Sequence, residues 1–562
     1  MRFLWLALAV LGCNSFGEAP KVRNRCLDDA DCPSGVCDPD GLCVANTESD
    51  LEIALRVVPV EDAMNPTLSS WTSEGLLLGE VTEEIDFTLP AHVDVVGTVR
   101  WKEMRVPAEI VFTRPGLDGQ AVERVRVSTL PEPTTRGTME ADFVARLEAG
   151  STYDVEVRPS AETIPGSDLP WLRVLPPLRL QRVETPPPEE GAEIVWPVAI
   201  LFPPLATPCG PGVSAGCSLA GTIVGPDAAS AAGLQVRAVE VETGAVVSST
   251  ALTDEGGAFQ IAIAPDAGPY LLRVSGGEER PLFPTVSVDP SLLPGEARIR
   301  VPTPTTVRYQ GRVEGADGTP LTAATLTFES FDVFDETVML GGSYRTSTRT
   351  GSRGEFDVEL LAGTYQIVVS PSAGQFSVLT EELRIAAPAT GGPVSGQLFV
   401  VPERARVGAT VETEEGEPLA EVSVEAVALG VQAEGAPIAA RFNRSSDAMS
   451  GLEGDLELRL DLGTYDLFLK PPAESGYGWM VLPGYEVRSL DAAAELSFVA
   501  RAPIPVRGTV RSDEGVPLPG ADIRVFGRAV GTERFVELGR GRADDEGRFR
   551  VLVAPQLADG NR

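Results

Sequence analysis

An all-β fold, a tandem array of Greek-key β-sandwich domains, is predicted by three observations. First, 57 glycines and 47 prolines punctuate a chain of 562 residues that is 43% hydrophobic, a composition that favours short strands bounded by turns over long helices. Second, residues 351–371, "GSRGEFDVELLAGTYQIVVSP", read as a hairpin. Phe356, Val358 and Leu360 alternate with Glu355, Asp357 and Glu359, the chain turns at Gly363 and Thr364, and Tyr365, Ile367 and Val369 resume the alternation, as a half-buried antiparallel pair requires. Third, the pattern recurs as "EADFVARLEAGSTYDVEVRP" at 140–159, "GGAFQIAIAPDAGPYLLRV" at 256–274 and "EGDLELRLDLGTYDLFLKP" at 453–471. Such self-similarity marks an array.

Each element of the repeat can be placed in turn. Five lead strands align as Val95-Gly97-Val99, Leu219-Gly221-Ile223, Tyr309-Gly311-Val313, Val407-Ala409-Val411 and Val506-Gly508-Val510. A turn follows, explicit as Pro320-Leu321, Pro418-Leu419 and Pro517-Leu518, and then a second strand with inward pairs Ile110/Phe112, Leu234/Val236, Ala324/Leu326, Val422/Val424 and Ala521/Ile523. A variable insertion, the hairpin and trailing apolar segments complete a unit of about seven short strands. The central positions of the trios are 124, 90, 98 and 99 residues apart, so each unit is long enough to bury its own core. Tyr153, Tyr270, Tyr365 and Tyr465 at the hairpins are expected to pack inward with the hydroxyl on a backbone group.

"YQGRVEGADGTPLTAATLTF" followed by the 351–371 hairpin resembles the carboxypeptidase regulatory-like domain, and "PVRGTVRSDEGVPLPGADIRVFG" is the clearest of the opening strands. The resemblance covers units two to five best and implies a transthyretin-like or prealbumin-like sandwich, close to collagen-adhesin B-type repeats and carbohydrate-binding-like folds. It implies no activity, because in the parent peptidases the module accompanies a separate zinc domain that has no counterpart here. The isopeptide cross-link of some adhesin repeats does not carry over, since units two, three and five contain no lysine.

The N-terminus reads as an address. Arg2 precedes the nine-residue apolar run Phe3 to Leu11, too short to span a bilayer and suited to a secretory signal. Val10-Leu11-Gly12-Cys13 resembles the lipobox of bacterial lipoproteins, which implies a lipid anchor on Cys13 and an exported, membrane-anchored protein on the periplasmic or cell-surface side, with the outer membrane the expected address. Six cysteines remain, an even number that suits an oxidising compartment. Cys26, Cys32, Cys37 and Cys43 fall within eighteen residues, too few to bury a core, and are expected to form two disulfides in a small knot whose pairing the spacing leaves open among three choices. A zinc cluster is the alternative, against which stands the lack of paired C-x2-C knuckles. Cys209 and Cys217 bracket a flexible loop that a local disulfide would close.

Composition excludes several functions. A formal net charge of -35 argues against nucleic acid, which needs a cationic surface. A solvated, aggregation-resistant surface is the plain reading of this acidity. Calcium is the sharper one, with Asp28, Asp29, Asp31, Asp38 and Asp40 of the knot as candidates, although their spacing is not that of an EF-hand. His92 is the one histidine, so the residue on which most acid-base and triad chemistry draws is nearly absent. No catalytic residue, metal or cofactor is expected. Trp101, Tyr477, Trp479 and Tyr485 are the candidates for a glycan-binding aromatic platform, the alternative to a stalk, scaffold or adhesive for unknown protein partners.

The sequence thus divides into a signal at 1–12, a lipidated spacer at 13–25, the knot at 26–43, unit one at 48–184, a Pro-rich linker at 185–218, and units two to five at 219–306, 307–403, 404–503 and 504–562. Unit five is incomplete: Phe549, Val551 and Val553 match the first hairpin strand, but "APQLADGNR" stands where the return strand should follow. Truncation, or an open edge for a partner strand, are the two explanations. A collinear array of five units would extend roughly 170 Å at about 3.4 Å per strand residue.

Overall fold

The computed structural model describes residues 24–558 apart from connecting segments, the longest of which are 60–70, 161–171, 180–194, 203–216, 333–341 and 430–441. Among the described residues its architecture is five sandwiches, each with a lead strand flanked by two others facing four further strands. In unit one the short strand Met104–Arg105 also joins the lead strand, and in units two and three the four-stranded layers merge into one sheet. Unit three shows the plan. A lead strand (Thr306–Gly315) is followed by a second (Thr325–Asp332), third (Gly342–Arg349) and fourth (Glu355–Leu361), then a return strand (Gly363–Ser370), a trailing strand (Leu379–Ile385) and a closing strand (Val394–Val401). The fourth and closing strands flank the lead strand in one sheet, with the closing strand parallel to it. The other sheet runs third, second, return, trailing, all antiparallel.

Alternation puts one side chain in two between the sheets. Tyr309, Val313, Leu326, Phe328, Phe356, Tyr365, Ile367 and Phe399 form the core of unit three, and units one, two and four have equivalent cores. The glycine at the centre of the lead strand has a steric cause in units one, three and five. In unit three Phe356 lies opposite Gly311, where a Cβ would come within 2.7 Å of the ring. Phe143 stands in the same way against Gly97, and Phe549 against Gly508. Unit four carries Ala409 because the facing residue is the smaller Leu456.

Unit five is completed from the other end of the chain. Its lead (Ile504–Arg511), second (Asp522–Arg528), third (Phe535–Arg542) and fourth (Arg548–Val553) strands are as the sequence reading has them. Its return strand is Glu52–Val58, antiparallel to the second strand from Ile53 opposite Gly527 to Val58 opposite Asp522. Trp71–Leu77 then serves as the trailing strand, and Ile85–Thr88 as the closing strand, parallel to the lead strand with Phe87 opposite Val510. Six N-terminal side chains, Ile53, Leu55, Val57, Leu78, Phe87 and Leu89, are buried in the core of this unit with Val506, Val525, Phe549 and Val551. At about 1.5–3 kcal/mol for each buried apolar side chain, the N-terminal segment brings on the order of 10 kcal/mol of gross burial to a sheet that would otherwise present an open edge.

Three expectations are corrected by the strand pairings. Residues 48–88 do not head unit one, which begins at its lead strand His92–Trp101. The Pro-rich linker is not all linker: Val195–Phe202 is the closing strand of unit one, parallel to that lead strand, and the lead strand of unit two starts at Cys217. The array is not collinear either. The chain leaves unit five for unit one at Leu89, passes through units two, three and four, and re-enters unit five at Ile504, so the units form a closed circuit. Covalent connectivity forbids the roughly 170 Å rod that stacking five units at ~3.4 Å per strand residue would give.

Leu55 is central to the closure, and Leu55→Asp places a charge in the core at zero exposure. The expected outcome is a loss of more than about 3 kcal/mol in unit five. Amide hydrogen exchange should show protection lost in 504–553 and kept in 306–401. Equal loss in both ranges would show that the units do not hold separate cores.

Candidate functional site: the closure clasp and the unit junctions

The N-terminal knot sits on the junction of units four and five. Its two short strands, Gly35–Cys37 and Cys43–Ala45, pair with each other, and its disulfides are Cys26–Cys37 and Cys32–Cys43. The four sulfurs are therefore oxidised to disulfides, which leaves no thiolate for the zinc alternative. Asn24 docks the knot: its backbone N–H donates to the Ser475 carbonyl at 2.7 Å, and its side-chain amide donates to the carbonyls of Cys43 at 2.7 Å and Gly476 at 3.0 Å. Gly476 leaves room for this, because a Cβ there would lie 2.8 Å from Leu42. On the far side the Ala45 N–H donates to the Pro503 carbonyl at 3.0 Å.

Charge makes the clasp specific. Arg507 and Arg550 lie directly opposite each other in the ladder of unit five, a like-charge pairing that destabilises a sheet. Burial, together with Arg507, pulls the Arg550 guanidinium below its ordinary range against the opposing pull of Asp38 and Asp40. Both arginines bind the Asp38 carboxylate, and Arg550 also reaches Asp40 at 2.9 Å. The other Asp38 oxygen accepts the N–H groups of Asp40 and Leu42, each at 3.0 Å, so one buried carboxylate both holds the knot's turn and neutralises the arginine pair. Asp29 accepts the Cys37 N–H at 2.8 Å. Three of the carboxylates named as calcium candidates are thus already engaged within the protein.

A second ion cluster joins units three and four. Asp461, whose side chain is 1% exposed, faces Arg404, 4% exposed, at 3.0 Å, and Arg444 at 3.3 Å. Arg404 also donates to the Arg444 carbonyl at 2.8 Å, and Arg444 donates to the carbonyls of Pro371 and Phe376 in the loop after unit three's return strand. The Val378 N–H of that loop donates to Asp461 at 3.1 Å. Burial pushes the Asp461 carboxyl up, but Arg404 and then Arg444 outweigh it and hold it below the usual carboxylate range. The corresponding loop of unit four, around Ser475 and Gly476, is the one that receives the knot. Unit two meets unit three differently: its trailing strand, Thr285–Val288, pairs with the third strand of unit three, so one eight-stranded sheet runs through both.

The aromatic candidates fall at packing positions. Trp101 packs on the core of unit one, Tyr477 and Tyr485 on that of unit four, and Trp479 on that of unit five. Trp479 bridges to Val553 and lies under the Lys470 ammonium at 4.7 Å. Burial raises the Tyr477 hydroxyl to about 12. All four are half-buried, and they are divided among three cores. Of the hairpin tyrosines, Tyr365 and Tyr465 donate to the carbonyls of Leu361 and Asp461 at 2.7 and 3.1 Å. Tyr153 is buried and Tyr270 half-buried. Cys217 is disulfide-bonded, whereas Cys209, like Cys13, lies outside the described residues. A cavity of about 50 Å³ between Met480, Phe498 and Leu557 is well below the roughly 300 Å³ at which small-molecule sites begin.

The clasp and the lock were not apparent from the sequence, but the closing segment left a mark there. The return strands of units one, three and four end in a proline two residues past the last inward residue, as Val157/Pro159, Val369/Pro371 and Leu469/Pro471 do, and Val57/Pro59 repeats this.

No family model matches the sequence, and no curated protein sequence matches it. Solved structures do resemble it in part. The 3-chlorocatechol 1,2-dioxygenase of Rhodococcus opacus 1CP is 13% identical over 18% of this chain and 60% of its own, with a TM-score of 0.14. A streptococcal ancillary pilin is 12% identical over 50% of this chain and 99% of its own, at 0.20. The TIE protein of Bacillus anthracis is 12% identical over 70% of this chain and 68% of its own, at 0.17. Identities this low do not speak to activity.

Two outcomes are expected at the junctions. Asp38→Ala leaves the opposed arginines uncompensated and should cost about 2–4 kcal/mol, read as lost exchange protection at the Asn24 and Leu42 amides. Asp461→Asn should cost about 3–5 kcal/mol at neutral pH, because Arg404 is left buried without the carboxylate that compensates it. A carboxyl with a depressed native pKa contributes stability that is complete above its unfolded pKa of about 3.9 and is lost as the pH falls through the lower native value. Wild type and Asp461→Asn should therefore converge only below about pH 4, measured as the local opening free energy at Val378 and Arg444. A gap unchanged in acid would exclude the ionised carboxylate as the cause.

Proposed function

We propose that this chain is a non-enzymatic, lipid-anchored scaffold of the cell envelope, whose circuit of sandwich units holds protein partners at the exported face of a membrane. The observation that carries this reading is the knot clasped to units four and five. Asn24 stands eleven residues after Cys13, a reach of at most about 40 Å at ~3.5 Å per residue, so an anchor on Cys13 tethers that junction close to the bilayer. Units two and three, joined by a continuous sheet and locked to unit four, then lie at the far side of the circuit. Several supports agree: disulfides that suit an oxidising compartment, a strongly acidic surface that resists aggregation, and cores and ion pairs placed to fix unit against unit.

Cys13→Ser tests the anchor. The variant should move from the detergent phase to the aqueous phase in phase separation, with the acyl mass lost from the N-terminal peptide and the unfolding of the sandwiches unchanged. A wild-type protein with no acyl mass, already in the aqueous phase, would remove the anchor from the proposal. For the scaffold role, cross-linking on intact envelopes should join the wild-type chain to defined proteins and the released Cys13→Ser chain to none of them.

A further inference from the structure

The closure of unit five makes no use of belonging to one chain. Its N-terminal strands take their ladder partners from residues 504–553, the knot takes its ionic partners from Arg507 and Arg550, and Ser49 donates to the Pro555 carbonyl at 2.6 Å. From Leu89, whose N–H donates to the Arg511 carbonyl at 2.9 Å, only two residues lead to the lead strand of unit one at His92. Wherever the segment goes, unit one goes with it.

We infer that the N-terminal segment can complete unit five of a second copy of this chain, so that closed circuits of two or more chains compete with the single-chain circuit. Two chains that exchange residues 24–88 form a circuit of twice as many units in which every junction of the monomer is present: knot on units four and five, unit five beside unit one, sheet from unit two to unit three, lock from unit three to unit four. Nothing in the local contacts separates the two forms. What separates them is the free energy of bending one chain's units back on themselves, set against the concentration of a second chain. The two stiff junctions, the shared sheet and the buried Asp461 cluster, confine that bending to the remaining ones, which raises the cost of the single-chain circuit.

Arg56 and Arg524 provide the probe. They face each other directly in the closure ladder and are only half-buried, and opposed strand positions stand about 4.5–5.5 Å apart at Cα, within the range a disulfide spans. The full chain with Cys13→Ser, Arg56→Cys and Arg524→Cys is prepared unlabelled and nitrogen-15 labelled, mixed, unfolded, refolded over a range of concentrations, oxidised and digested. Exchange predicts peptides joining residue 56 of one label to residue 524 of the other. Their share should rise about tenfold per tenfold in concentration while exchange is rare, with covalent dimers rising in step. If the joined peptides carry like labels at every concentration, the inference is overturned, whether the protein is monomeric or associates through another surface. Should the first pair prevent folding, Val58→Cys with Asp522→Cys, also directly opposed, repeats the measurement, and light scattering on the refolded Cys13→Ser chain gives the mass independently.

Discussion

The pairing of Glu52–Val58 with Asp522–Arg528 is the constraint on which the rest of the molecule depends. A second strand with an unfilled neighbour exposes a row of N–H and C=O groups and half a core, which a sandwich of this size does not tolerate in water. Filling that row with a segment more than 460 residues away in sequence settles several matters together. It gives unit five a core, turns a row of units into a circuit, and brings the knot to the place where its aspartates meet the arginines of that unit. The Asp38 cluster is a consequence of the closure, and it also strengthens it, because the opposed arginines need an anion that the knot supplies.

The junctions divide the work differently from the cores. Each core is made of alternating aliphatic and aromatic side chains and would be served by many sequences of the right size. The junctions depend on particular charges. Asp461 is surrounded by two guanidiniums and two backbone N–H groups, an arrangement in which loss of the carboxylate leaves Arg404 buried without compensation. The fold therefore tolerates drift in its cores and little in its clasp and lock, and the relative placing of units three and four is set by electrostatics while their stability comes from burial.

Much of this was legible in the sequence, for identifiable reasons. Periodicity of two and the recurring turns placed the lead, second and fourth strands of every unit, because those positions obey the local rules of a pleated, half-buried surface. The return strand of unit five was missed because Ile53 stands where the other units have tyrosine, since Val57 and Val369 face equivalent residues of their second strands, and because no Gly-Thr-Tyr turn precedes it. Val57 with Pro59 carried the signal, but at the wrong end of the chain for a reading that assumed each unit to be contiguous. The clasp and the lock had no local signature at all: Asp38 looks like any other aspartate of an acidic knot until Arg507 and Arg550 are brought to it, and the pairing of the four cysteines likewise emerged only with the fold.

A circuit closed by its two ends also imposes an order in time. The strands that finish unit five are synthesised more than 400 residues ahead of those they pair with. For the interval in between, units one to four can fold on their own cores, and the closing segment carries unsatisfied backbone and apolar side chains with nowhere to place them. Arrival of unit five's own strands satisfies both partners in one step. In this arrangement the closing segment acts as a check on the strands that follow it, because it becomes resistant to proteolysis only after unit five's own strands have joined it.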